Sequence, residues 1–282
     1  MSLKTSLITP HNIFRFFKYA IYLLLAYNAI LFFQEDMAAS TQMFGDTVTW
    51  RNVIEAYSST FDTVAWVVLL LLFELETAIL PDHLLKGRIK WLLKGLAGVC
   101  YFFIVYSFYG YCYKYGVLTD LVPFDIDDVC SLIGTDFTYV LDLDEYLPLD
   151  QAICTVMNGQ QVMQISGTEI IAVEPAMGDV IRLAIVDVVN ALTWLIIVVL
   201  LEVEVFLQLK DRLSDRMMFA AKYTKGFFYL ILFVCAAYWG VKGSFLDFWD
   251  AFLWLFAFIF IELNIFHWHS ETDEKREQIL KV

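Results

Sequence analysis

Three stretches of this chain set carboxylates inside apolar runs, a combination that few folds tolerate. Phe61 to Thr77 reads FDTVAWVVLLLLFELET, the chain around Asn190 reads NALTWLIIVVLLEVEV, and that around Asp250 reads DAFLWLFAFIFIELNI. One pattern covers all three: an Asp or Asn, then Trp four residues on, Glu eight residues after that, and Glu or Asn two further. It is met by Asp62, Trp66, Glu74 and Glu76, by Asn190, Trp194, Glu202 and Glu204, and by Asp250, Trp254, Glu262 and Asn264. A carboxylate at the centre of a membrane helix costs about 3 kcal/mol or more, so its recurrence at one depth needs a structural or functional reason.

The surrounding composition is that of a membrane protein. Hydrophobic residues make up 60% of the chain and mean hydropathy is +0.63, well above a soluble domain, and several runs reach the length needed to cross a bilayer. The lipid bilayer is therefore the first partner. The net charge of −13 lies mostly outside the apolar runs, and no basic patch supports nucleic-acid binding.

In chain order, a tail and Ile13–Phe33, led by Arg15 and Lys18, form an uncleaved first span, followed by a loop over 34–60. The second span, 61–80, ends at Pro81, so 1–81 is the first unit. Residues 82–112 are a basic turn with Lys86, Arg88, Lys90 and Lys94, then the third span. An insertion, 113–179, is followed by the fourth span, 180–209. Residues 210–269 hold a loop with Lys210, Arg212, Arg216, Lys222 and Lys225 and the last two spans, and 270–282 is a charged tail. Short basic loops on one side predict six spans with both termini cytoplasmic, in a cell membrane read as a bacterial inner membrane. Each odd span starts with a basic pair (Arg15/Lys18, Lys90/Lys94, Lys222/Lys225) and each even span carries the Trp-Glu pattern, so the fold expected is all-α, three parallel helical hairpins in pseudo-repeat.

Residues 113–180 hold twelve Asp or Glu against Lys114 alone. Within them QAICTVM, QQVMQI and TEIIAV alternate with Asn158-Gly159 and Ser166-Gly167, which predicts a three-stranded meander with Cys154, Met163 and Ile170 side by side. So small a sheet needs a staple, and in an extracytoplasmic compartment Cys130 and Cys154 are the disulfide candidates, with Cys112 the competitor. Asp125, Asp127 and Asp128, and Asp142, Asp144 and Glu145, are calcium ligands by type but match no EF-hand loop, so solvation is the expectation.

Two readings of the intramembrane charges stand. In one, Lys18, Lys94 and Lys225 each neutralise a glutamate and fix helix packing. In the other, Glu74, Glu76, Glu202, Glu204 and Glu262, with Asn264, form an inner-leaflet cluster that handles protons or cations, and Asp62, Asn190 and Asp250 form an outer polar mouth; five carboxylates against three lysines favour this one. Trp66, Trp194 and Trp254 suit an interface belt, as do Tyr101, Tyr106 and Tyr109. His11, His83, His267 and His269 stand near span ends without convergent metal-ligand spacing, and there is no CxxC pair, GxSxG, HExxH or phosphate loop. No enzyme, metal or cofactor is expected. The function expected is ion handling by a channel, transporter or ion-coupled subunit; the rival is a scaffold or sensor subunit whose acidic insertion docks a membrane or extracytoplasmic protein. Oligomeric state has no signature in these residues.

Overall fold

A computed structural model describes residues 10–44, 48–49, 53–80, 86–209 and 215–261. Its long helices are α1 (Pro10–Phe44), α3 (Ser58–Glu74, after the single turn α2, Val53–Ala56), α4 (Gly87–Thr119), α6 (Glu174–Leu209), α7 (Asp215–Lys242) and α8 (245–261). Among the described residues five helical stretches are long and apolar enough to cross a membrane: Asn12–Met43, Ser58–Thr77, Gly87–Thr119, Glu174–Glu204 and Arg216–Lys242. The chain is a multi-pass membrane protein.

Most helices outrun the apolar windows that mark them. The helix of α1 continues through Glu35 and Asp36 to Phe44, where a loop is expected, and α4 continues past Tyr113 to Thr119, so the insertion starts at Asp120. Polar residues do not stop a helix whose backbone hydrogen bonds continue and whose polar side chains find partners on its neighbours. After Glu74 the turn widens over Leu75–Ile79 into a π-helix, with Leu80 N–H bonded to the Leu75 carbonyl. Gly110 lets α4 approach α3 closely: a Cβ there would stand 2.9 Å from Ser58 Cβ. That approach sets Tyr111 beside Asp62.

The insertion is a five-stranded sheet rather than a three-stranded meander. Its strands are β1 (Leu121–Pro123), β2 (Thr138–Asp142), β3 (Glu145–Pro148), β4 (Val162–Ile165) and β5 (Ile170–Val173), in the order β1-β4-β5-β2-β3. Only β5 and β2 run parallel.

QAICTVM is α5 (Gln151–Met157), not a strand. Asp150 caps it, its carboxylate accepting from Ile153 N–H at 2.8 Å, and the apolar residues Cys154 and Met157 then fall on one helical face. Asn158-Gly159 ends this helix in a tight turn, with Gly159 at φ +78°, instead of joining two strands. The second hairpin exists, but Met163 pairs with Ala172, two residues from the expected Ile170, because the loop spans Ser166 to Glu169. The Cys130–Cys154 disulfide is present and ties the short 3-10 turn Val129–Leu132 to α5.

Two apolar layers sandwich the sheet. On one face Val129, Leu149, Cys154, Met157, Val162 and Ile171 pack under the disulfide. On the other, Val140, Leu143, Ile165 and Ile170 pack against Ala39 of α1, Leu118 of α4, Met177 and Leu183 of α6, and Trp239 of α7. The sheet thus closes one end of the bundle, and the β2–β3 turn reaches into it.

Candidate functional site

The middle of the bundle is aromatic. The ring of Trp66 on α3 lies 6.0 Å from Trp194 on α6 and 6.1 Å from Trp254 on α8, and Phe258 packs within 4.4 to 6.4 Å of all three. These tryptophans do not form an interface belt; Trp194 and Trp254 are buried, and Trp66 is half-buried. The four-residue spacing in the sequence pattern has a geometric cause. Asp62 and Trp66 on α3, and Asp250 and Trp254 on α8, are one turn apart, so carboxylate and indole of each pair share a helix face.

Depth follows from helical rise. At the sheet end of the bundle exposed Arg182 and Lys242 converge on Asp179. Counting from Arg182 along α6, Asp187 lies about 8 Å deeper, Asn190 about 12 Å, Trp194 about 18 Å and Glu202 about 30 Å, one hydrocarbon thickness away. The tryptophan layer is therefore near the middle of the span. Asp62 and Asp250 lie on the sheet side of that layer, one helical turn before Trp66 and Trp254, and Glu202 lies beyond it.

Beyond the tryptophans, away from the sheet, the described glutamates are separated rather than clustered. Lys18 Nζ donates to both oxygens of Glu74, at 2.6 and 2.8 Å, and the Tyr19 hydroxyl adds a third bond at 3.1 Å; lysine and glutamate are both buried. Lys225 of α7 meets Glu204 of α6 at 3.0 Å. Glu202 accepts from Tyr101 at 2.8 Å, while Lys94, two turns earlier on α4, is exposed, as is Glu76. The ion-pair reading thus holds for two of the three lysines, and a tyrosine stands where the third was expected. Glu262, Asn264, His83, His267 and His269 lie outside the described residues.

On the sheet side of the tryptophans, the structure sets the patterned Asp62 and Asp250 in one half of the bundle with carboxylates that the pattern did not single out. Asp250 accepts from Asn28 at 2.8 Å, Asp62 from the Tyr111 hydroxyl at 3.4 Å, and Asp187 from the Trp239 indole at 3.2 Å. Asp36 is held by the N–H and hydroxyl of Thr60, at 2.8 and 2.6 Å. Asp247 and Ser244 cap α8 reciprocally: the Ser244 hydroxyl accepts from Asp247 N–H and donates to its carboxylate. The β2–β3 turn delivers Asp144 into this set, where it pairs with Lys114 of α4. Asp36, Lys114 and Asp144 line one small cavity between α1, α4 and the β2–β3 turn.

Asn190 is half-buried on the same helix as Asp187. A signal for the missed residues was available: Asp187 and Asp247 each precede the patterned Asn190 and Asp250 by three residues, inside the same apolar runs.

In the sheet itself, burial pushes Asp142 above the ordinary carboxylate range, with the neighbouring Asp144 and Glu145 adding to it. Asp128, fully exposed, is held below that range, chiefly by the Asn158 side-chain amide and then by Cys130 N–H. Among the described residues no group of three or more His, Cys, Asp or Glu is arranged to hold a metal ion.

Fold and site together define a multi-pass helical membrane protein with an aromatic layer inside its bundle, a carboxylate set between that layer and a disulfide-tied sheet, and separate ion pairs beyond it. Comparisons with models of protein families, with curated proteins and with solved structures found no match.

Proposed function

We propose that this protein handles protons or cations across a membrane, and that the carboxylates on the sheet side of the tryptophan layer are the groups that bind and pass them. One observation carries the reading: Glu35, Asp36, Asp62, Asp144, Asp187, Asp247 and Asp250 share that half of the bundle with a single buried lysine, Lys114, among the described residues, since Arg182 and Lys242 at its rim are exposed and turned to Asp179. An uncompensated carboxylate is costly in a bilayer, so bound protons or cations must carry the excess charge. The aromatic layer then acts as the barrier between this chamber and the opposite side, where Tyr101, Glu202, Glu204 and Lys225 stand. In this account the inner-leaflet glutamates come second: Glu74 is committed to Lys18, and Glu202 and Glu204 stand at the far exit.

The same reading includes six spans in three parallel hairpins, with α8 as the sixth, both termini cytoplasmic and the sheet extracytoplasmic. The meeting of Trp66, Trp194 and Trp254 around one phenylalanine supports an inner triangle made of the three patterned helices. The test is occupancy. Lower pH, or a cation added at constant ionic strength, should raise the melting temperature of the purified protein, by linkage of binding to stability. The Asp187→Asn/Asp250→Asn variant should lose that response; a response unchanged in the variant would count against the site.

A rival reading, a scaffold or sensor subunit, rests on exposed Asp125, Asp127, Asp128 and Asp136 on the sheet, which suit a basic partner. Copurification of a second protein at fixed stoichiometry, lost when these four are changed to Asn, would favour it.

A further inference from the structure

We propose that the cleft between α6 and α7 binds one phospholipid, its phosphate held by Arg182 and Lys242 and one acyl chain lying in an apolar groove below them. The groove is open on its outer side, holds about 350 Å³ and is lined by Ile185, Val186 and Val189 from α6 and by Leu230, Val234 and Tyr238 from α7, among others. Its walls follow helical spacing. Arg182, Ile185, Val186 and Val189 stand at i, i+3, i+4 and i+7 on α6, and Leu230, Val234, Tyr238 and Lys242 recur every four residues on α7. The helices are antiparallel, α6 running away from the sheet and α7 back towards it, so each apolar wall ends in its basic residue at the same level.

That level is where a lipid headgroup sits. Arg182 and Lys242 keep 57% and 51% of their side-chain surface exposed, and both point at Asp179, so two cations share one carboxylate and a net positive charge remains. Tyr238 joins groove to headgroup site: it lines the groove one helical turn before Lys242. This half of the protein is otherwise acidic; residues 113–180 contain only Lys114 as a base, and Lys114 is buried on Asp144. An exposed basic pair directly above an apolar groove of about 10 Å along the helices complements a phosphate joined to an acyl chain, whereas a neighbouring helix would meet only the apolar part.

The test uses the full chain in detergent and native mass spectrometry, with dioleoyl phosphatidylglycerol as the probe and dioleoylglycerol, which lacks the phosphate, as its control. Wild type should retain one phosphatidylglycerol and little dioleoylglycerol. Arg182→Gln/Lys242→Gln should weaken retention by about tenfold or more, as expected for losing two interfacial cations. Val189→Trp/Val234→Trp, which fills the groove and leaves the basic pair, should weaken it too. Equal retention in wild type and both variants, or equal retention of the two lipids, would overturn the proposal. So would a wild-type dimer that the tryptophan variant dissociates, since a second copy would then occupy the cleft.

Discussion

Lys18 and Glu74, 56 residues apart on α1 and α3, form a two-oxygen ion pair with almost no exposed surface, and Tyr19 and Tyr22 supply further hydroxyl donors. Nearly every lone pair of the carboxylate is satisfied, which is how a charged pair persists beneath a membrane surface. Removing one partner strands the other. Lys18→Met or Glu74→Gln should therefore lower stability by about 3–5 kcal/mol, while Lys18→Met/Glu74→Met should recover much of the loss. Thermal unfolding of the four proteins in one detergent checks this; a double variant as unstable as the worse single variant would contradict a closed pair.

The aromatic layer should be a barrier as well as a core. Trp66→Ala removes a ring that touches Trp194, Trp254 and Phe258, and should cost about 3 kcal/mol as a large-to-small core change. Passive proton leak through vesicles should rise in the same variant. Trp66→Phe should keep the leak low. Leak measured with a trapped pH dye distinguishes the two, and equal leak in both variants would mean that the layer does not seal the bundle.

The sheet should depend on its staple. Cys130→Ser opens a link across 24 residues between the 3-10 turn and α5, and should destabilise the insertion by about 2–4 kcal/mol. Amide exchange should quicken at β4, β5 and α5 and remain slow in the centre of α6. Exchange that quickens equally throughout would show that bundle and sheet unfold as one unit.

The sheet should also respond to pH through Asp142. Its carboxyl is raised in the folded protein, mainly by burial, so the folded state holds the proton more tightly than the unfolded chain does. Its stabilising contribution is complete below the unfolded carboxylate range and is lost as pH rises through the folded value. Asp142→Asn should flatten that slope. Asp128, lowered by Asn158 and Cys130 N–H, acts in the opposite sense, its contribution being lost as pH falls. Amide exchange of β2 and β3 followed across the carboxylate range checks the sign for Asp142.

The membrane class, the apolar runs and the Cys130–Cys154 bond were legible because each follows from local composition or from a short list of possible partners. The Lys18–Glu74 pair was legible from matching depth on antiparallel helices. Strand and helix were confused at Gln151–Met157 because a short apolar run flanked by turn residues satisfies both periods, and only the Asp150 cap decides between them. Asp144 could not be placed from its own neighbourhood, where it looks like one solvated acid among many. It reaches Lys114 only because the β2–β3 turn is driven into the bundle by Leu143 and Tyr146, a tertiary event with no local signature.

The central claim is that protons or cations pass by way of the carboxylates between the sheet and the tryptophan layer. The most direct measurement is proton and monovalent-cation flux into proteoliposomes, comparing wild type with Asp62→Asn/Asp187→Asn/Asp250→Asn and with Glu202→Gln/Glu204→Gln. The account predicts flux in wild type, its loss in the folded aspartate variant, and reduced but measurable flux in the glutamate variant. Undiminished flux in the aspartate variant, or none in a folded and correctly oriented wild type, would contradict it.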